Sequence, residues 1–100
     1  MKRVFLCAPL YQSSGIEKYT EYLLRCGAAP VAPHFFVPCL DRRNPDDVKL
    51  AWRAETSLLW MCDEMWVFGD ELTSDMKKLI AFAENLPIPI QYISLEEVRI

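Results

Sequence analysis

The chain has 100 residues, of which 52% are hydrophobic and 25% charged, and its net charge is −3 at pH 7. This length allows one small domain, residues 1–100, and the composition is that of a globular protein and not of a disordered or membrane chain. The acidic balance argues against nucleic-acid binding, which depends on clustered lysines and arginines. With no long apolar segment after Lys2 and Arg3, we expect a cytoplasmic protein.

The first part of the chain predicts a strand, a helix and a second strand. Residues 4–8 form a continuous apolar run, which is typical of a strand buried on both faces. Ser14 and Glu17 have the spacing of a capping box, and Gly27 is a typical helix end. Residues 30–36 predict extended structure at a sheet edge, because two prolines remove hydrogen-bond donors.

The second part continues the alternation of helices and strands. Asn44 and Pro45 predict a helix start, and the apolar run 65–68 predicts a buried strand. A helix over residues 74–85, capped by Thr73 or Ser74, a strand over residues 87–93 and a short terminal helix follow. This order indicates an α/β fold with a four-stranded parallel sheet, strand order 2-1-3-4 and helices on both faces.

In such a sheet, the ligand crevice lies where the first and third strands end side by side. The turns that reach this point supply the predicted ligand-binding residues, which are Pro9, Tyr11, His34, Phe35, Gly69, Asp70, Ser74 and Met76. Aromatic planes, hydroxyls and backbone N–H groups suit a flat heterocycle that carries a sugar or phosphate. Four cysteines and one histidine have no zinc-ligand spacing, so we expect neither a metal nor another cofactor.

Two carboxylates are catalytic candidates. Glu55 interrupts the apolar stripe of its helix on the face of Trp52 and Leu59, where a charge must be paired, exposed by the helix end or used. Asp70 follows the third strand, where the helix dipole alone also accounts for an acid. Trp60 lies off the main stripe of its helix, so it either packs in a second buried face or marks a protein contact.

The chain resembles the small bacterial and phage proteins related to nucleoside 2-deoxyribosyltransferases. The similar parts include the segment 29–34, Leu40 and Asp41, the block 62–69 and the turn 74–76. The resemblance implies a flavodoxin-like three-layer α/β/α fold, a nucleoside-type crevice and a homo-oligomer. In the transferases, it further implies a glutamate in the helix after the third strand that attacks the sugar anomeric carbon.

The turn departs from that pattern at the nucleophile. Small relatives carry Ser-x-Gly-Met-x-x-Glu, whereas residues 74–79 of this chain lack the glycine and have Leu79 where the glutamate should be. Leucine can neither attack a carbon nor transfer a proton, so we expect a nucleoside- or nucleotide-binding protein without that covalent chemistry. The alternatives are an N-glycosidase or deoxyribosyltransferase with a relocated carboxylate, and a protein-interaction module that uses a surface at Trp52, Trp60 or Trp66.

Overall fold

In this computed structural model, which describes residues 1–10 and 15–98, four short strands form one parallel sheet. They are β1 (Lys2–Cys7), β2 (Ala28–Val31), β3 (Glu64–Phe68) and β4 (Ile90–Ile93). Their order across the sheet is β2-β1-β3-β4, so β1 pairs with both β2 and β3. The predicted parallel sheet and its strand order are confirmed.

The helices cover both faces of this sheet. They are α1 (Ile16–Arg25), α2 (Pro45–Leu59), α3 (Ser74–Ala83) and α4 (Leu95–Val98). Helices α2 and α3 pack on one face, while α1 and α4 pack on the other. The result is the predicted three-layer α/β/α architecture. None of the helices in the described residues has the length and hydropathy needed to cross a bilayer.

Alternating side chains of β1 divide the hydrophobic core into two clusters. Phe5 and Cys7 face α2 and α3, whereas Val4 and Leu6 face α1. All four are almost fully buried. Because successive residues of a strand point to opposite faces, a strand covered by helices on both sides needs a continuous apolar run. That run therefore places β1 in the middle of the sheet.

The extended segment predicted over residues 30–36 is too long. The strand β2 ends at Val31, and two short 3-10 turns follow at Pro33–Phe35 and Val37–Cys39. Each turn carries a proline near its start, where the fixed φ suits a helical turn and the missing N–H is not needed. These turns direct the connection between β2 and α2 across the carboxyl end of the sheet.

Several predicted boundaries shift by a few residues. The helix α3 ends at Ala83 instead of residue 85, and β4 begins at Ile90 instead of residue 87. Glycine Gly27 has a φ of 82° just after α1, as expected of a left-handed helix end. At the start of α1, Gly15 is the cap residue, and the predicted cap Ser14 lies outside the described residues.

Candidate functional site

A cavity of about 730 Å³ opens on the α2 and α3 side of the sheet. Its walls come from Leu10 after β1, from the connection between β2 and α2, and from the facing sides of α2 and α3. Small-ligand pockets commonly measure about 300–1,000 Å³. The apolar part of the lining includes Leu10, Val37, Leu40, Ala51 and Trp52.

Glu55 lines this cavity and is 5% exposed. The side chains of Ala51, Glu55 and Leu59 follow one another at helical spacing, and all three are buried. The sequence expectation that Glu55 lies on the inward face of its helix is therefore correct. No described residue forms a hydrogen bond with Glu55 Oε2, although this atom is buried.

The surroundings of Glu55 favour its neutral form. Burial is the main cause that raises its pKa to about 7, and the nearby Asp75 carboxylate adds to the effect. Asp75 also lines the cavity, from the first turn of α3. Behind Glu55, burial raises the pKa of the Cys7 thiol to about 12, with a further contribution from the Glu55 charge. Two of the carboxyl groups in the lining, those of Glu55 and Asp75, therefore interact, and Glu55 exchanges its proton near neutral pH.

Hydrogen bonds fix the connection that forms one wall of the cavity. Asn44 Oδ1 accepts from the backbone N–H of Asp46 at 2.9 Å and caps α2. The carboxylate of Asp47 accepts from the backbone N–H of Asp41 at 2.9 Å, and Asp41 in turn accepts from the N–H of Arg43. These bonds hold the connection against the first turn of α2, so the acids in it have structural partners.

Basic side chains surround the acids of the cavity. Lys49 and Arg53 extend from α2, Lys78 extends from α3, and all three are exposed. An anionic group of a ligand would find cations at this rim, while a neutral ring would find Trp52 and the apolar wall. Trp52 itself is held by an edge contact with Phe82, with ring centroids 5.8 Å apart.

The first and second predicted turns meet each other, but Pro9, His34 and Phe35 lie outside this lining, to which the first turn contributes Leu10. His34 Nε2 donates to the backbone oxygen of Pro9 at 3.0 Å, so His34 ties the turn after β1 to the turn after β2. Burial lowers the pKa of His34. Phe35 is 79% exposed and, with His34, borders a separate apolar depression beside α1. The remaining member of these turns, Tyr11, lies outside the described residues.

The third predicted turn has two exposed side chains, Asp70 and Ser74, and one buried side chain, Met76. Gly69 has a φ of 102°, which a residue with a side chain rarely adopts, and Asp70 and Ser74 are exposed. Thr73 is the cap of α3, and its hydroxyl accepts from the backbone N–H of Met76 at 3.2 Å. Met76 is 1% exposed and packs in the core between the sheet and α3.

Leu79, at the position where the sequence pattern of small relatives has glutamate, is also in the core. It is 3% exposed and belongs to the same cluster as Cys7, Leu59 and Met76. Glu55 on α2 and Asp75, one helical turn before Leu79, line the cavity instead, together with Asp41 and Asp47.

Residues 2–93 match the family described as Domain of unknown function (DUF7768). The chain belongs to the DUF7768 family. No curated protein sequence matches it. Among solved structures, this DUF7768 chain is similar to a 2-deoxyribosyltransferase from the psychrotolerant bacterium Bacillus psychrosaccharolyticus, which is described as a biocatalyst for the synthesis of antiviral and antitumoral nucleosides. The TM-score is 0.76 at 13% identity, over 92% of this chain and 72% of the other. This likeness confirms the deoxyribosyltransferase-like fold.

Some cavity residues of this DUF7768 domain were not among the predicted site residues. Val37, Leu40, Trp52 and Lys78 line the cavity. The 3-10 turns bring the first two there, and these turns were predicted as loop or extended chain. Trp52 lies three residues before Glu55, so both side chains lie on the same side of α2. This helical spacing is the sequence signal that could have placed Trp52 at the cavity.

The three tryptophans differ in exposure. Trp60, at the end of α2, is 65% exposed, which excludes packing in a second buried face within this chain. Trp52 and Trp66 are half-buried. The Trp66 indole N–H donates to Glu64 Oε1 at 3.1 Å, and the same carboxylate accepts from Lys2 Nζ and Gln91 Nε2. Trp66 therefore forms part of a hydrogen-bonded group on the sheet, while the exposed Trp60 could contact another molecule.

Proposed function

We propose that this domain binds a nucleoside or nucleotide in the cavity between α2, α3 and the connection that follows β2. The observation that carries the proposal is the cavity itself, which has a suitable volume and opens at the carboxyl end of a deoxyribosyltransferase-like sheet. Trp52 and the apolar wall would contact the ring. The exposed Lys49 and Lys78 at the rim would face a phosphate or sugar.

The turns predicted from the sequence would complete the site from its edges. Pro9 precedes Leu10 in the cavity wall, and Asp70 and Ser74 flank the start of α3, whose N-terminal dipole favours anionic groups. In this proposal, His34 positions the turn at Pro9 through its hydrogen bond and is not a general base.

A thermal-unfolding screen of nucleosides, nucleotides and sugar phosphates tests the proposal. A ligand at ten times its Kd stabilises the folded state by about 1.4 kcal/mol, and we expect a rise in Tm of about 5 °C or more for at least one compound. Ala51→Phe, which fills part of the cavity, should abolish the shift, while the exposed Ala81→Phe on α3 should keep it. No shift at millimolar ligand, or an Ala51→Phe variant that responds like the wild type, would refute the proposal.

A second candidate function is cleavage of an N-glycosidic bond. It is favoured by the two carboxyl groups of Glu55 and Asp75 in one cavity, since a pKa near 7 suits a group that gives or takes a proton. Incubation with 2′-deoxynucleosides should then release free base, and Glu55→Gln should lose this activity at unchanged folding. Ligand binding without base release would leave the first proposal standing and exclude the second.

A further inference from the structure

We propose that Glu55 is a proton-carrying specificity residue, whose Oε2 donates a hydrogen bond to an uncharged acceptor atom of the bound ligand. This inference rests on the proposed function, because it assigns a role to one group in the same cavity. It predicts that the protein binds its ligand in the acid form of Glu55 and that affinity falls when this proton is lost.

The geometry of Glu55 is the first support. The residue is 95% buried, given its 5% exposure, and it lines the cavity from the middle of α2. Its Oε2 has no hydrogen-bond partner among the described residues. A buried polar atom without a partner destabilises the fold, because it has lost its hydrogen bonds with water. A ligand atom at this position would remove that penalty.

Comparison with Glu64 is the second support. Glu64 is buried to the same degree, but its carboxylate accepts hydrogen bonds from Lys2, Trp66 and Gln91, which favour its charged form. No comparable set of donors reaches Glu55 within the described chain. Glu64 is therefore a charged residue with a full set of hydrogen-bond partners, whereas Glu55 has an oxygen without one.

The charged groups around Glu55 decide which of its forms binds. Asp75 faces it from α3 and disfavours a second negative charge, while the buried Cys7 thiol lies behind it on β1. The rest of the lining carries Asp41 and Arg42 from the connection, Asp47, Lys49 and Arg53 from α2 itself, and Lys78 from α3. Burial raises the pKa of the Cys7 thiol to about 12, so this thiol stays neutral between pH 6 and pH 8.5.

The group that meets Glu55 is then an acceptor such as a ring nitrogen, a ring carbonyl or a sugar oxygen. A carboxylic acid donates one hydrogen bond, whereas a carboxylate only accepts. A ligand that offered an N–H donor at this position would instead bind the charged form, with the opposite dependence on pH. The direction of the pH effect thus distinguishes an acceptor from a donor in the ligand.

Calorimetric titration with 2′-deoxyadenosine and 2′-deoxycytidine at pH 6 and pH 8.5 tests the inference. Neither ring changes charge in this range, and nucleotides are avoided because their phosphate titrates near pH 6. With a pKa of about 7 for Glu55, we expect the affinity of the wild type to fall by about thirtyfold between the two pH values. Glu55→Gln keeps a donor without a charge, so it should bind with similar affinity at both.

The other variants separate a ligand contact from a structural effect. Glu55→Leu should bind about tenfold more weakly than the wild type at pH 6, since it fills the same space without a donor. Glu84→Gln removes an exposed glutamate beyond the end of α3 and should behave as the wild type.

Three results would overturn the inference. They are an affinity that does not fall between pH 6 and pH 8.5, a pH dependence that survives in Glu55→Gln, and a lack of binding by both nucleosides at both pH values. In the first two cases a nucleoside binds and the proposed function stands. In the third case, the thermal screen decides separately whether any other nucleotide or sugar phosphate occupies the cavity.

Discussion

Glu55→Gln will be more stable than the wild type at alkaline pH, and the two will be almost equally stable in acid. The pKa of Glu55 rises from 4.5 to about 7 on folding, so the unfolded chain loses this proton more readily than the folded one. The stability that the acid form contributes is complete below pH 4.5 and is lost as pH rises to about 7. At pH 8.5 the loss amounts to about 3 kcal/mol, which the glutamine variant avoids.

Urea unfolding of both proteins at pH 4.5 and pH 8.5 measures this effect as a difference between variants. Glu64, whose pKa is lowered mainly by its hydrogen bond with Lys2, is the same in both proteins, so its contribution cancels. The matched control is Glu84→Gln, an exposed glutamate whose replacement should change the free energy of unfolding by less than about 0.5 kcal/mol at either pH. A Glu55→Gln difference that is the same at both pH values would show that Glu55 is solvated.

Leu79→Glu will lower the free energy of unfolding by about 4 kcal/mol at pH 8. The leucine side chain is buried in the cluster that contains Cys7, Leu59 and Met76, and its removal alone gives up about 2 kcal/mol of apolar burial. The new carboxylate would either lose its hydration or bind a proton, and it would follow Asp75 by one helical turn, where like charges repel. Chemical unfolding at pH 8 measures the loss.

Leu79→Met is the appropriate control, because it conserves volume and should lower the free energy of unfolding by less than about 1.5 kcal/mol. A Leu79→Glu protein as stable as the wild type would mean that a carboxylate at this position reaches solvent or the cavity. In that case, leucine at this position would remove a reactive carboxylate without adding to the stability of the core. With the expected loss, the leucine is part of the core of this domain.

The sheet was predictable because its central strands have a simple sequence pattern. Apolar runs at residues 4–8 and 65–68 belong to strands covered on both faces, and the alternation with helices leaves few ways to order them. The segment 30–36 was less predictable, since β-branched and aromatic residues favoured a strand while Pro33 allowed a 3-10 turn. Two local preferences competed in this segment, and the prolines near the start of the two 3-10 turns prevailed.

The site was predictable only in part, for a related reason. The conflict of Glu55 with its apolar surroundings could be recognised from helical spacing, and the structure places this residue at the cavity. Topology brought the turns at Pro9 and Gly69 to one end of the sheet but did not give the direction of each side chain. Met76 points into the core and Phe35 into solvent, while the wall at Val37 and Leu40 depends on turns that only the folded chain defines.

The position of Trp52 has a practical consequence for work on this protein. Its indole ring borders the cavity and rests edge-on against Phe82, whereas Trp60 is mostly in water and Trp66 is bonded to a carboxylate. A ring stacked in the cavity would quench or shift the emission of Trp52 alone. In a Trp60→Phe, Trp66→Phe background, the domain therefore carries its own optical reporter of cavity occupancy, without any added dye.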